Sequence, residues 1–159
     1  MGKIKWIIKN HQKKQIGRIG EYLVAVELEK QGFTTSLLLN NAENIDILAF
    51  DNKTGKSISI QVKTQLKKKR WPISALSLSK KYDNAFFVFV NLNNNNCPNF
   101  CIYKWLEVIK IEREYKKWLK TPGKKGQKHN DNSIRVFELK NDKNLNDWTI
   151  LREKRSDKK

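Results

Sequence analysis

Cysteine is scarce in this chain. Cys97 and Cys101 are the two present, with three residues between them, and His11 and His129 are the only histidines that could join them. Without a second cysteine pair a structural zinc site is not expected, and the thiols read as reduced, packed or half-exposed. Long apolar runs are also missing, since none approaches the ~18 to 20 residues of a spanning helix. The N-terminus has no signal-type apolar stretch followed by a small-residue cleavage site. A cytoplasmic protein without a membrane partner is therefore expected. The sequence contains no internal repeat, no glycine-rich phosphate loop, and no Ser/His/Asp or Cys/His arrangement that would serve nucleophilic catalysis.

Acidic residues are few relative to basic ones, 16 against 33, which leaves a formal charge of +17. Such an excess predicts a polyanionic partner, for which nucleic acid is the usual candidate. The length of 159 residues suits a single domain, 1–159, large enough to bury a core. At 38% apolar and 31% charged the chain is polar, yet it carries too many aromatic and aliphatic residues for disorder.

The most informative stretch runs from Asn44 to Thr64. Residues 44–50 and 57–64 both alternate with a period of two, and the polar run Asp51–Lys56 between them carries turn chemistry, so a β-hairpin is predicted. In the second arm Ile58, Ile60 and Val62 share one face, while Ser59, Gln61 and Lys63 share the other. In the first arm Asp46 falls on the face of Leu48 and Phe50, an acid at the start of an otherwise apolar series. A carboxylate, an amide and an ammonium converge at one end of the hairpin. Oxygen ligands of this kind suit a hard cation such as Mg²⁺, and a neighbouring lysine can orient water or offset phosphate charge. A solvated strand face would show the same alternation.

Before the hairpin, residues 15–31 place Ile16, Ile19, Leu23 and Val26 at helical spacing, with Val24, Ala25 and Leu28 widening the stripe and Gly32 as a stop. Glu21 sits early in this helix, where the helix dipole favours an acid, and it follows Gly20, whose missing side chain admits a close neighbour. The basic segment 1–14 reads as an arm or the beginning of this helix. Residues 33–39 read as a first strand, with a turn at 40–43.

Beyond the hairpin, Lys67, Lys68, Lys69 and Arg70 form a basic run ending at Trp71-Pro72, suited to phosphate contact and stacking. Residues 85–92 are continuously apolar, as a central strand covered on both faces would be. A loop at 93–99, a short strand at 100–103 and one helix over 105–119 follow, the last with Leu106, Ile109 and Trp118 on its core stripe. The loop 120–132 holds Lys124, Lys125, Lys128 and His129, residues 134–139 alternate as a strand, and 145–151 closes the domain on a packed Trp148. Residues 152–159 read as a frayed charged tail.

Taken in order, Gly20-Glu21 on a first helix, Asp46 entering a strand, and Gln61-Val62-Lys63 on its hairpin partner resemble the PD-(D/E)xK nuclease superfamily, which includes Holliday-junction resolvases, many restriction endonucleases and some homing endonucleases. The resemblance covers about residues 15–92 and implies an α/β, restriction-endonuclease-like core: a mixed central sheet with a β-hairpin flanked by helices. Residues 100–155 would be an accessory C-terminal segment, which contains Asp131 and Arg135 besides His129. The implied activity is Mg²⁺- or Mn²⁺-dependent hydrolysis of DNA phosphodiesters. Asp46 would match the metal-binding Asp, Gln61 the (D/E) position, Lys63 the Lys and Glu21 the helix acid, so that Glu21, Asp46 and Gln61 would hold the metal. Two positions depart from the motif. Ile45 stands where the name has Pro, and Gln61 stands where it has an acid, which removes one negative charge.

DNA is the expected partner, contacted through Lys67, Lys68, Lys69, Arg70, Lys124, Lys125 and Lys128; RNA and a homodimer both stay open. Two other functions fit the same residues. One is a catalytically silent nucleic-acid-binding module on this fold, and the other an interaction protein that binds an acidic partner.

Overall fold

The computed structural model of the chain describes residues 13–38, 44–67, 69–93, 97–139 and 144–152. The expected turn at 40–43, Lys68, the arm before Lys13 and the tail after Arg152 lie outside these residues. The first helix, α1 (Lys13–Lys30), carries Val24, Ala25 and Leu28 into the core. It stops at Gly32, whose φ of +85° is open to glycine at little steric cost.

Next come β1 (Phe33–Leu37), β2 (Ile47–Asp51) and β3 (Lys56–Gln65), which pair as an antiparallel meander. The predicted hairpin is β2–β3. Its turn closes through Gly55, at φ +71°, whose N–H donates to the Asp51 carbonyl over 2.8 Å. After β4 (Arg70–Ser74) and the single turn of α2 (Ala75–Ser79), β5 (Ala85–Asn91) joins β3 in parallel, and β6 (Asn99–Lys104) pairs antiparallel with β5. The sheet order is β1-β2-β3-β5-β6. Every residue of β5 is buried, as its unbroken apolarity predicts.

Two cores form, one on each face of the sheet. Val24 and Leu28 of α1 meet Ile47, Ile58, Ile60 and Val62 on one side. Phe87 and Phe89 meet Trp71, Ile73 and Trp105 on the other. Each such aliphatic or aromatic side chain contributes about 1.5–3 kcal/mol when fully buried.

Four expectations are corrected. The helix over 105–119 is two helices, α3 (Trp105–Val108) and α4 (Lys110–Lys120), broken at Ile109, so that Trp105 and Val108 are buried while α4 lies on the surface. Trp118 is 44% exposed and stacks on His129 at 3.8 Å, outside the core. Trp71 is 1% exposed and donates its indole N–H to the Val90 carbonyl, which leaves no ring face for stacking on bases. It belongs to β4, which pairs with β7 (Ile134–Glu138) in a separate two-stranded sheet. Pro72 within β4 helps explain why the sequence pattern hid this strand. The fourth correction concerns Arg152, which is anchored. It ends a 3-10 turn (Trp148–Arg152) and grips Asp51 through Nε–Oδ2 at 3.0 Å and Nη2–Oδ1 at 2.9 Å.

Asp51 also accepts bonds from Lys53 N–H and Thr54 Oγ1, and its carboxyl lies well below the usual carboxylate range, held there chiefly by the Arg152 hydrogen bonds. A depressed folded-state pKa gives stability that is full above the unfolded value near 3.8 and is lost as pH falls below it. Removing the guanidinium would leave the buried Asp51 charge uncompensated. Arg152→Ala is expected to cost roughly 3 kcal/mol, a fall in Tm of roughly 6 to 12 °C, with a shallower loss of stability below pH ~4 than in the wild type. Thermal melts across pH check both; an unchanged Tm would show that the clamp contributes nothing.

Candidate active site

The β2–β3 register pairs Ile47 with Ile60 and Leu48 with Ser59, and one further step sets Asp46 opposite Gln61. The acid is held there from both sides of the backbone. Its N–H donates to the Ile60 carbonyl at 2.9 Å, and its Oδ2 accepts from the Val62 N–H and from Gln61 Nε2, each at 2.7 Å. Asp46 is 8% exposed and Gln61 4%. Leu48 and Phe50, which share the Asp46 face, are open to solvent, and Ile47 and Ala49 carry the core side of β2. The apolar series beside Asp46 is thus an exposed face, and the acid is buried at its end by its hydrogen bonds and neighbours.

Gln61 is oriented by this contact. A carboxylate can only accept, so the atom that bonds Asp46 must be the amide nitrogen, and the amide oxygen is left for another partner. That oxygen, Gln61 Oε1, is buried and has no hydrogen-bond partner among the described residues. An unpaired buried carbonyl costs about 1–3 kcal/mol, so the position is unfavourable unless something else engages it.

Lys63 is half-buried two residues further along β3. Burial lowers its pKa, against the opposing pull of Asp46 and Glu21. Burial likewise raises Asp46, opposed by the Val62 N–H, Lys63 and Gln61. Glu21 is raised by burial first and by the Asp46 charge second, with Arg18 and Lys63 opposing. Glu21, Asp46 and Lys63 thus lie within electrostatic reach of one another, and Gln61 bonds Asp46 directly. Among the described residues no three His, Cys, Asp or Glu side chains gather as a metal cluster; here two carboxylates and one amide oxygen are what is offered.

The approach of α1 to β3 sets Glu21 in place. Gly20 lies directly on Thr64, where a Cβ would come within 2.9 Å of the Thr64 Cβ and Cγ2 and closer still to Oγ1. Thr64 was not singled out by pattern; only the glycine beside Glu21 signalled the contact.

The residues expected to meet nucleic acid are dispersed. Lys67, Lys69 and Arg70 are exposed just beyond β3, and Arg70 faces Glu138 across 3.5 Å. Lys124, Lys125 and Lys128 are exposed in the loop between α4 and β7. Arg135 is 4% exposed, bonded to Glu112 at 2.6 and 3.3 Å and laid over the Tyr115 ring at 3.7 Å, so it fastens β7 to α4. Cys97 is exposed and Cys101 buried, and neither is joined in a disulfide. No described helix is long and apolar enough to cross a membrane.

No family model and no curated protein matches the sequence. Among solved structures, the chain is similar to a Holliday junction resolvase, Hjc of Archaeoglobus fulgidus, with 14% identity, 77% of this chain and 83% of that one covered, and a TM-score of 0.46. It is also similar to a bacterial homing endonuclease, with 16% identity, coverage of 64% and 70%, and a TM-score of 0.46.

Replacing Gly20 with Ala should push α1 off β3 and displace Glu21. The expected result is a loss of several degrees in Tm, in the range of a core overpacking of about 1–3 kcal/mol, with partial recovery when Thr64→Ala removes Oγ1 and Cγ2 in the same chain. A Gly20→Ala protein as stable as wild type would contradict the packing described.

Proposed function

We propose that the protein is a divalent-metal-dependent endonuclease of the PD-(D/E)xK type that hydrolyses DNA phosphodiesters. The observation that carries this reading is the buried, partnerless Gln61 Oε1 beside Asp46. An amide oxygen without a donor, next to a carboxylate and within the field of a second, is a donor set that fits a hard cation. Glu21, Asp46 and Gln61 would hold Mg²⁺ or Mn²⁺. When bound, such an ion supplies Lewis-acid polarisation of the phosphate and lowers the pKa of a coordinated water.

The chain's own residues account for the rest. Gln61 reconciles two tasks that a carboxylate at this position would set against each other, since its NH₂ ties down Asp46 while its oxygen stays free. A glutamate there would bring two acids into hydrogen-bond range, where one of them takes up a proton. Lys63, with its pKa lowered by burial, is suited to orient water or to offset charge on the phosphate. Lys67, Lys69, Arg70, Lys124, Lys125 and Lys128, with Lys68 by sequence alone, would contact the DNA backbone.

Nucleic-acid binding without cleavage is the second reading, favoured by the presence of just two carboxylates at the site. One assay separates the two. With Mg²⁺ or Mn²⁺ and a panel of single-stranded, duplex and branched DNAs, the wild type should cleave at least one. Asp46→Ala should abolish cleavage, and Lys63→Ala should slow it by ~10² to 10⁴ while retaining DNA binding. Gln61→Glu should leave activity equal or lower. Cleavage by Asp46→Ala at the wild-type rate would refute the assignment, and binding without cleavage by the wild type would establish the silent module.

A further inference from the structure

Away from the candidate active site, the surface between α2 and α4 forms a groove of about 760 Å³. Its floor is apolar, with Leu78, Leu106 and Ile109. Its rim is cationic: Lys81, Lys110, Arg113, Lys116, Lys117 and Lys120 line it. Glu112 is the one acid in the lining, and it is already engaged by Arg135 at 2.6 Å and Lys116 at 3.6 Å. Among the described residues no carboxylate pairs with Lys81, Lys110, Arg113, Lys117 or Lys120.

The spacing on α4 is the second observation. At 100° per residue, Lys110, Arg113, Lys117 and Lys120 fall within one third of the helix circumference and form a single file. At 1.5 Å per residue the file is ~15 Å long, enough to meet more than one successive phosphate of a DNA strand. A compact anion would require donors that converge on a point. A line of cations that no described carboxylate pairs, over an apolar floor, suits a linear polyanion instead.

The helix that walls the groove on one side, α2, is also tied to the start of the hairpin. Ser77 of α2 donates its hydroxyl to Asn44 Oδ1 at 2.7 Å, two residues before Asp46, and Ile45 packs in the same cluster as Leu78. We infer that the α2–α4 groove is a nucleic-acid-binding surface, in which α4 tracks the sugar-phosphate backbone of DNA whose adjoining part reaches the Asp46 site. This inference rests on the proposed DNA substrate, but not on cleavage.

The test is binding of a labelled random-sequence duplex, without divalent metal, over a salt series. The variant Lys110→Gln/Arg113→Gln/Lys117→Gln/Lys120→Gln keeps good helix formers throughout α4. It should bind more weakly to all sequences alike, and the slope of log K against log salt should shrink by about 0.9 per lost phosphate contact, ~3 to 4 in all. The pair Arg113→Gln/Lys117→Gln should give about half that change, which keeps the test available if the fourfold variant folds poorly. Lys53→Gln/Lys56→Gln, on the exposed hairpin turn, provides the comparison for lost net charge and should have the smaller effect per charge. A folded α4 variant with wild-type affinity and slope, or with no greater loss per charge than the turn variant, overturns the inference. So does a wild type that binds poly-glutamate in preference to the duplex, which would assign the groove to an acidic protein. Failure of the nuclease reading is seen separately, as DNA binding through α4 with no cleavage under any metal.

Discussion

The antiparallel register of β2 and β3 governs this molecule. By setting Asp46 opposite Gln61 it buries a carboxylate at a strand end and meets it with two hydrogen bonds of 2.7 Å. Burying an ionised carboxylate costs several kcal/mol, while each hydrogen bond to a charged group returns about 1.5–3. The two magnitudes are comparable, so the bonds offset the cost without exceeding it. The pKa of Asp46 accordingly stays raised, with burial the largest influence. A shift of the register by one residue would turn Gln61 and Lys63 to the α1 side and take Ile60 and Val62 out of the α1 core, so the core that fixes the fold also fixes the site.

Gln61 shows how a neutral side chain can serve two neighbours at a buried position. Its amide is divided between a donor that restrains Asp46 and an acceptor that nothing in the described protein engages. The orphaned oxygen, two carboxylates with raised pKa and a lysine with a lowered one are each unfavourable for stability near neutral pH. Such unfavourable groups gathered at one end of a hairpin are the pattern of a functional site. The surrounding core supports it, with Gly20 letting α1 close on Thr64 and the Arg152 clamp fixing the far turn of the same hairpin.

Much of this was legible in the sequence, because period-two alternation reports directly which strand residues share a face. The hairpin, the buried central strand, α1 with its glycine stop and the packed Trp148 follow from local patterns and agree with the structure. What was hidden depends on tertiary contacts. Trp71 and Trp118 are chemically equivalent in the sequence, yet one is enclosed by Phe89 and Phe137 and the other stands beside His129 at the surface. The β4–β7 pair joins segments sixty residues apart across a proline, beyond the range of any local signal. The cationic file on α4 was readable in its i, i+3, i+7, i+10 spacing, but was obscured by reading Trp105 to Leu119 as one helix with an apolar stripe.

The central claim is that Asp46 and Gln61 form a cation site, and paramagnetic broadening tests it most directly. Mn²⁺ added to an isotope-labelled protein at a small fraction of its concentration should broaden the Gln61 side-chain NH₂ and the Val62 backbone amide before other resonances, and Asp46→Ala should remove that selectivity. Broadening that begins elsewhere, with the Gln61 and Val62 signals unaffected, would contradict the account.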